Sequence, residues 1–398
     1  MVTKKKIAII THYCGSVNYG GNLQAYALPF FLNKNGFDAK QISYPVTKDT
    51  SGLTKIEILK QRLKGSPFKA FKSICGTMLR SLNGFVHVRR KKQIAMIHKK
   101  RFESFKHFQL EMIPHTNKEY LDESLKDLNQ FFDFFITGSD QVFNFNMAKY
   151  GYFLTFVKDK PKMSYAASMA LDSIPENKKA FMKDALKDYQ AIGVREEKTV
   201  GLLEELIDKK VELNIDPVFL LEREDWDAVA SKRLVDEEYV FCYFLGNNQI
   251  EREEAKAFSK AMGLKLVCIP FYKTRYRHYD LNFGDINLPY ASPEDFISLI
   301  KHAKYIFTDS FHACALSIIY QKQFIVFNRD KLGSMNSRIK SLVSTFDCEE
   351  RFFEENTGDL EKTKAILQSK TEFLTDKFVM LKTSSINYLL GNLSKLDQ

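Results

Sequence analysis

The chain has 398 residues and a formal net charge of +10, is 44% hydrophobic, and carries 34 Phe and 18 Tyr. That supports two or three domains with large aromatic cores, and the lack of any run of about 18 uninterrupted apolar residues argues against a spanning helix. The six cysteines (Cys14, Cys75, Cys242, Cys268, Cys314 and Cys348) show no C-x-x-C spacing and read as buried free thiols in a reducing compartment.

The lysines that follow Met1 resemble a secretory n-region, but the apolar run Ile7 to Ile10 is short and ends before His12. It reads instead as the first strand, Ile7 to Thr11, of a cytoplasmic α/β domain. A polar, glycine-bearing loop, Gly15 to Asn22, leads into a helix from Leu23 to Asn35 that is closed by Gly36. Ala39 to Tyr44 is the second strand, and this βαβ opening implies a doubly wound parallel sheet. Residues 50–130 break the alternation and read as a basic helical insertion. Within it, between Lys55 and Lys106, fifteen Lys or Arg stand against two acids, Glu57 and Glu103. Such a surface is either plain solvated helix or a contact for an anionic membrane surface or a lipid-linked acceptor. No nucleic-acid module accompanies it, and no nucleic-acid partner is expected.

Alternation resumes with strands at Phe131 to Thr137, Lys162 to Ala167, Ala191 to Val194 and Val211 to Ile215, with helices at Pro175 to Tyr189 and Glu196 to Leu206. Asp216-Pro217 punctuates the chain. A second alternation follows. Its strands are Tyr239 to Leu245, Leu264 to Ile269, Tyr305 to Thr308 and Gln323 to Phe327, and its helices are Glu251 to Met262, Asp295 to Ala303 and one beginning near Cys314. Ser292-Pro293-Glu294-Asp295 is an N-cap signature. The tail from Leu360 to Leu390 reads as helical. The architecture expected is α/β, with two Rossmann-like domains facing across a cleft: residues 1–216 with the insertion at 50–130, residues 217–355, and a helical tail at 356–398.

Each polar cluster falls after a strand, where open α/β sheets bind ligands. Asn18, Gly20, Gly21 and Asn22 form either a plain tight loop or one whose backbone approaches a ligand. Ser139 and Asp140 are either a helix N-cap or a cleft carboxylate able to act as base or hydroxyl acceptor. Arg195 is either an ion-pair partner of Glu196 and Glu197 or a bidentate anion ligand. Asp309-Ser310-Phe311-His312 ends a strand and opens a helix. It therefore combines a histidine with free N–H groups and the positive end of a helix dipole, which suits phosphate. Arg329, Lys331 and Arg338 lie beyond the next strand and could bind a second anionic group. His12 and His278 are weaker candidates. No His, Asp or Glu set has metal-ligand spacing, so no metal is expected.

Six motifs, in order, resemble those of the polysaccharide pyruvyl transferase family over about residues 5–345. They are Asn18 to Leu28, Ile136 to Phe143, Ser164 to Ser168, Val194-Arg195-Glu196, Asp216-Pro217-Val218 and Thr308 to His312. The resemblance implies a fold similar to the two-domain GT-B arrangement. It implies transfer of a pyruvyl (carboxyethylidene) group from phosphoenolpyruvate to two hydroxyls of a sugar or lipid-linked glycan, with phosphate released and no cofactor. It further implies that His312 and Arg195 bind the donor. Many members carry arginine two positions before that histidine, where this chain has Ser310. The missing charge is expected from Arg329, Lys331 or Arg338. On this reading His312 is the phosphate ligand and proton source, and Asp140 orients or deprotonates the acceptor hydroxyl. The other site residues are Asn18, Gly20, Gly21, Asn22, Ser139 and Ser310. A cytoplasmic enzyme of polysaccharide synthesis, peripheral at the inner membrane face, is expected. The alternatives are a GT-B glycosyltransferase using a nucleotide sugar and a noncatalytic glycan-binding protein.

Overall fold

A computed structural model describes residues 4–46, 84–145, 150–271, 280, 283–329, 337–354, 358–369 and 372–395, with 84–91 and 337 described by backbone alone. The described strands form two sheets, and every pair within them is parallel.

The first sheet contains β1 (Lys6–Ile10), β2 (Asp38–Ser43), β3 (His115–Glu119), β4 (Phe134–Thr137), β5 (Lys162–Ala167), β6 (Ala191–Val194) and β7 (Val211–Leu213), in the order β3-β2-β1-β4-β5-β6-β7. The second contains β8 (Tyr239–Tyr243), β9 (Lys265–Cys268), β10 (Ile286–Asn287), β11 (Tyr305–Thr308), β12 (Gln323–Phe327) and β13 (Phe352–Phe353), in the order β10-β9-β8-β11-β12-β13. Helices cover both faces of these parallel sheets, so the central strands are apolar without alternation, as in the fully buried β4, β8 and β11. In each sheet the strand order reverses once, between β1 and β4 and between β8 and β11. The chain leaves in opposite directions at these two points and opens a crevice at the carboxyl ends.

The helices that frame the site are α1 (Tyr19–Lys34), α2 (Gly84–Glu111), α3 (Glu176–Leu186), α4 (Glu197–Glu204), α5 (Arg223–Asp227), α6 (Gln249–Ala261), α7 (Pro293–His302), α8 (Phe311–Ile319), α9 (Ser337–Thr345), α10 (Leu360–Gln368) and α11 (Asp376–Ser394). Ser292 and Asp295 form a reciprocal capping box at the start of α7, with Pro293 at the first helical position. Helix α1 of the first half packs on α7 and α8 of the second. Tyr19 stacks on Phe296 at 4.4 Å and donates its hydroxyl to the Ala291 carbonyl at 2.6 Å. One hydrophobic cluster therefore runs through both halves, from Ile7 and Leu23 to Phe296 and Leu316.

Two elements depart from the sequence expectation. The stretch 50–130 does not stand wholly apart, because β3 completes the edge of the first sheet by pairing with β2. The tail is two helices, and α11 crosses back to the first sheet. There the Tyr388 hydroxyl donates to the Ser164 carbonyl at 2.8 Å and the Ile215 N–H donates to Ser385 Oγ at 3.0 Å.

Candidate active site

The two switch points face each other and bring polar side chains from both halves together. Of the expected loop Gly15 to Asn22, the first half is loop and Tyr19 to Asn22 is already helix. Asn18 is the N-cap of α1 and its Oδ1 accepts from the Gly21 N–H at 3.4 Å, so Gly20, Gly21 and Asn22 lie in the first turn. The glycines are there for close approach. A Cβ on Gly20 would run into the imidazole of His312 from the opposite half, and one on Gly21 would lie 2.7 Å from the His12 carbonyl and 3.5 Å from the Asp140 carboxylate. Asn22 is occupied with structure: its Nδ2 donates to the Ser16 and Asn18 carbonyls at 3.1 and 2.8 Å, and its Oδ1 accepts from Gln109 of α2 at 2.7 Å.

After β4, Ser139 and Asp140 turn into the crevice. Asp140 holds φ +71°, an uncommon conformation for a non-glycine residue. Its carbonyl fixes that turn by accepting from Val142 N–H at 2.7 Å and Ser168 N–H at 2.9 Å. Burial pushes the Asp140 carboxyl up, but His12, Arg195, His312 and Arg338 outweigh it and hold the group below the usual carboxylate range.

Arg195 follows β6 and is buried. Its Nη1 donates to Asp216 Oδ2 and to Ser139 Oγ at 3.2 Å. Ser139 Oγ in turn donates to the same Asp216 oxygen at 3.2 Å. The guanidinium lies 4.8 Å from the ring centre of Phe311, a cation–π contact. Its Nε and Nη2 make no hydrogen bond, although Glu196 Oε1 stands 3.8 Å from Nε. Glu196 is itself held by Ser168 Oγ, Met169 N–H and Thr199 Oγ1.

Asp216 joins the halves. It follows β7, is fully buried, and its Oδ1 accepts from Val218 N–H at 3.1 Å. His312 Nε2 of α8 lies 3.5 Å from Asp216 Oδ2 and makes no hydrogen bond. Burial raises the Asp216 carboxyl, but Arg195 first and then His312 pull it far below the ordinary value, so it is an anion at any working pH.

His312 sits in the first turn of α8. Ser310 is the N-cap, but its hydroxyl caps no helix N–H. The first-turn N–H groups are thus without a side-chain cap, in the arrangement that receives anions at helix starts. Asp309 is structural: its carboxylate accepts from Leu245 N–H at 2.6 Å and Gly246 N–H at 2.5 Å, which ties β11 to β8. Arg329 completes that joint, donating to the Asp309 carbonyl through Nη2 at 2.7 Å and Nε at 3.2 Å. Arg338, on α9, is buried and lines a partly open pocket with Arg195, Asn214, Asp216, Phe311 and Thr345. Lys331 and His278 lie outside the described residues.

The structure thus brings Gly20, Gly21, Ser139, Asp140, Arg195, His312 and Arg338 together. It places Asn18 at the exposed cap of α1 and sets Asn22 and Arg329 to holding backbone. It adds Asp216, whose Asp-Pro signal reads as punctuation, and it brings in the weaker candidate His12, whose charge bears on Asp140. Among the described residues no cluster of His, Cys, Asp or Glu could hold a metal ion.

The model of the polysaccharide pyruvyl transferase family matches residues 18–331. The chain belongs to that family. The site residues just described fall within this span except His12, six residues before it, and Arg338, seven residues beyond it. Solved structures share the fold at low identity. S. aureus MnaA, solved with UDP, is 11% identical with a TM-score of 0.51 over 98% of this chain and 97% of that one. A UDP-GlcNAc 2-epimerase from Methanocaldococcus jannaschii, in complex with UDP-GlcNAc and UDP, is 12% identical with a TM-score of 0.50 over 97% of this chain and 100% of that one. The likeness is one of fold: this pyruvyl transferase family member has the two-domain GT-B architecture. No curated protein matches its sequence.

Proposed function

We propose that this protein transfers the pyruvyl group of phosphoenolpyruvate to two hydroxyls of a glycan sugar, forming a cyclic ketal and releasing phosphate. The observation that carries the proposal is a set of unsatisfied buried donors. Arg195 Nε and Nη2 and His312 Nε2 make no hydrogen bond, and the two side chains flank one carboxylate, Asp216, beside an uncapped helix start. Buried donors without acceptors are rare, and here a bound anion supplies the acceptors.

The chemistry fits these groups. Protonation of the donor methylene makes a methyl group and an oxocarbenium-like carbon. A sugar hydroxyl adds to that carbon and returns a proton to the now neutral His312, and the C–O bond to phosphate breaks, leaving a second oxocarbenium-like carbon. A second hydroxyl then adds, closing the ketal, and its proton leaves with the phosphate. In this scheme His312 and the α8 N-terminus hold the phosphoryl oxygens, and protonated His312 is the proton source. Arg195 neutralises the leaving phosphate, work that a preorganised guanidinium does without reorganising solvent. Asp140 is ionised and weakly basic, which favours orienting the hydroxyl and stabilising the positive carbon over strong proton abstraction. Asp216 holds Arg195 directly and faces His312 Nε2 at 3.5 Å. The acceptor is proposed to be a lipid-linked glycan presented at an anionic membrane surface.

The test is phosphate release from phosphoenolpyruvate in the presence of glycan acceptors. His312→Ala should lower turnover by at least about 100-fold, the scale of losing an acid–base group, with an unchanged melting temperature. Near-normal turnover in that variant removes His312 from the chemistry.

A further inference from the structure

Arg195 and Glu196 are both buried, and Glu196 Oε1 stands 3.8 Å from Arg195 Nε. Opposite charges buried side by side ordinarily close to about 2.7–2.9 Å and share a hydrogen bond. Here the gap stays open, and Arg195 Nε and Nη2 keep their donors. The reason lies at the end of β5. Three other groups take up the Glu196 carboxylate. Ser168 Oγ donates to Oε1, and Met169 N–H and Thr199 Oγ1 donate to Oε2 at 3.3 and 3.2 Å. Of these, Ser168 holds the oxygen that stands 3.8 Å from Arg195 Nε.

The backbone is shaped to bring Ser168 there. β5 loses register against β6 between Ser164 and Ala167, and Ala166 and Ala170 hold φ +50° and +49°. Left-handed backbone is costly for a residue with a Cβ and persists where the surrounding structure requires it. The bulge turns the end of β5 into a junction between two site residues. The Ala167 carbonyl accepts from the Arg195 N–H at 3.1 Å, and the Ser168 N–H donates to the Asp140 carbonyl at 2.9 Å. Both bonds belong to the backbone and survive replacement of the Ser168 side chain. What that side chain adds is one fully buried hydroxyl, spent on Glu196.

We infer that Ser168 is a positioning residue whose hydroxyl holds the Glu196 carboxylate off Arg195, so that the guanidinium meets the anionic donor rather than its neighbour in the chain. This rests on the reading of Arg195 as a ligand of phosphoenolpyruvate. Glu196 stays near enough to offset the buried charge of Arg195 while the site is empty, yet does not take up its donors. Without the hydroxyl, Oε1 turns to Arg195 Nε, and the ion pair closes where the donor must bind.

The experiment is calorimetric titration of phosphoenolpyruvate into the full chain, for wild type, Ser168→Ala, Ser168→Cys, Glu196→Gln and the double variant Ser168→Ala/Glu196→Gln, with melting curves of each. Ser168→Ala should weaken binding ~10- to 100-fold, the scale of a charge-assisted hydrogen bond that the donor must now displace. The double variant should bind within about threefold of Glu196→Gln alone, because an uncharged amide does not capture the guanidinium. Ser168→Cys keeps the size with a weaker donor. It should weaken binding in the same direction, and it carries the test if the Ala variant does not fold. Wild-type affinity in both Ser168 variants overturns the inference. So does a loss in Ser168→Ala that Glu196→Gln fails to restore, the pattern of a residue that only packs. Inorganic phosphate is titrated into the same series. A wild type that takes phosphate but not phosphoenolpyruvate overturns the parent reading, and the phosphate series then decides the role of Ser168 by the same criteria. A wild type that takes neither overturns both.

Discussion

Gly20 carries no side chain because the imidazole of His312 occupies that space. On helix propensity alone, alanine in α1 would be favoured by about 1 kcal/mol. The added methyl must instead displace a histidine that arrives from the other half of the molecule. Gly20→Ala is therefore expected to keep a melting temperature close to wild type while transfer falls by about 100-fold, the scale of a displaced acid–base group. Activity assays beside melting curves check this, and full activity would show that His312 need not sit there. Glu251 gives a second prediction at this scale. It is buried in the first turn of α6, and burial first, then Asp309, raises its carboxyl to about 8. A raised folded-state value means that the stability it contributes is complete below the ordinary carboxylate range and is lost as pH climbs to about 8. Glu251→Gln has no proton to lose, so its melting temperature should match wild type near pH 4, exceed it increasingly toward pH 8, and hold a constant lead beyond. A pH series of melting curves with constant spacing would refute the burial effect.

Legibility in the sequence varied from element to element for physical reasons. Strands that lie deep in a parallel sheet announce themselves as apolar runs, and Lys162–Ala167, Ala191–Val194, Tyr305–Thr308 and Gln323–Phe327 end where the apolar pattern ends. Edge strands carry no such pattern. β3 reads His-Thr-Asn-Lys-Glu, and β10 and β13 are two residues each, so only their neighbours define them. The start of α1 was obscured because two adjacent glycines look like a loop, whereas they serve the contact with His312 and Asp140. The role of Asp216 was hidden for another reason: a carboxylate that meets Arg195 and His312 across about 20 and about 100 residues leaves no local spacing to find. Helix α2 supports a prediction of its own. Its outer face exposes Lys92, Lys99, Lys100 and Lys106 beside Met96, Phe102 and Leu110, a basic face with apolar side chains among the lysines. Among the described residues no helix is long and apolar enough to cross a membrane. Co-sedimentation with vesicles containing anionic lipid should be substantial at low salt and fall steeply as salt rises. Absent or salt-insensitive binding would remove the membrane role.

At the scale of the whole molecule, the site exists because two sheets present their reversal points to each other. Asp140, Arg195 and Asp216 belong to one sheet, and His312 belongs to the other. The contacts that fix their relation are far from the chemistry: Tyr19 against Phe296 and Ala291, and α11 reaching back to Ser164 and Ile215. The GT-B architecture alone does not choose a substrate, since function lives in sites grafted on folds. The choice here rests on an arginine and a histidine with open donors, and on family membership. The most direct test compares thermal stabilisation by phosphoenolpyruvate with that by nucleotide sugars, in wild type and in His312→Ala. Stabilisation by phosphoenolpyruvate alone, rising with its concentration and lost in the variant, is the predicted result. Stabilisation by a nucleotide sugar without any by phosphoenolpyruvate would contradict the account and make the protein a glycosyltransferase.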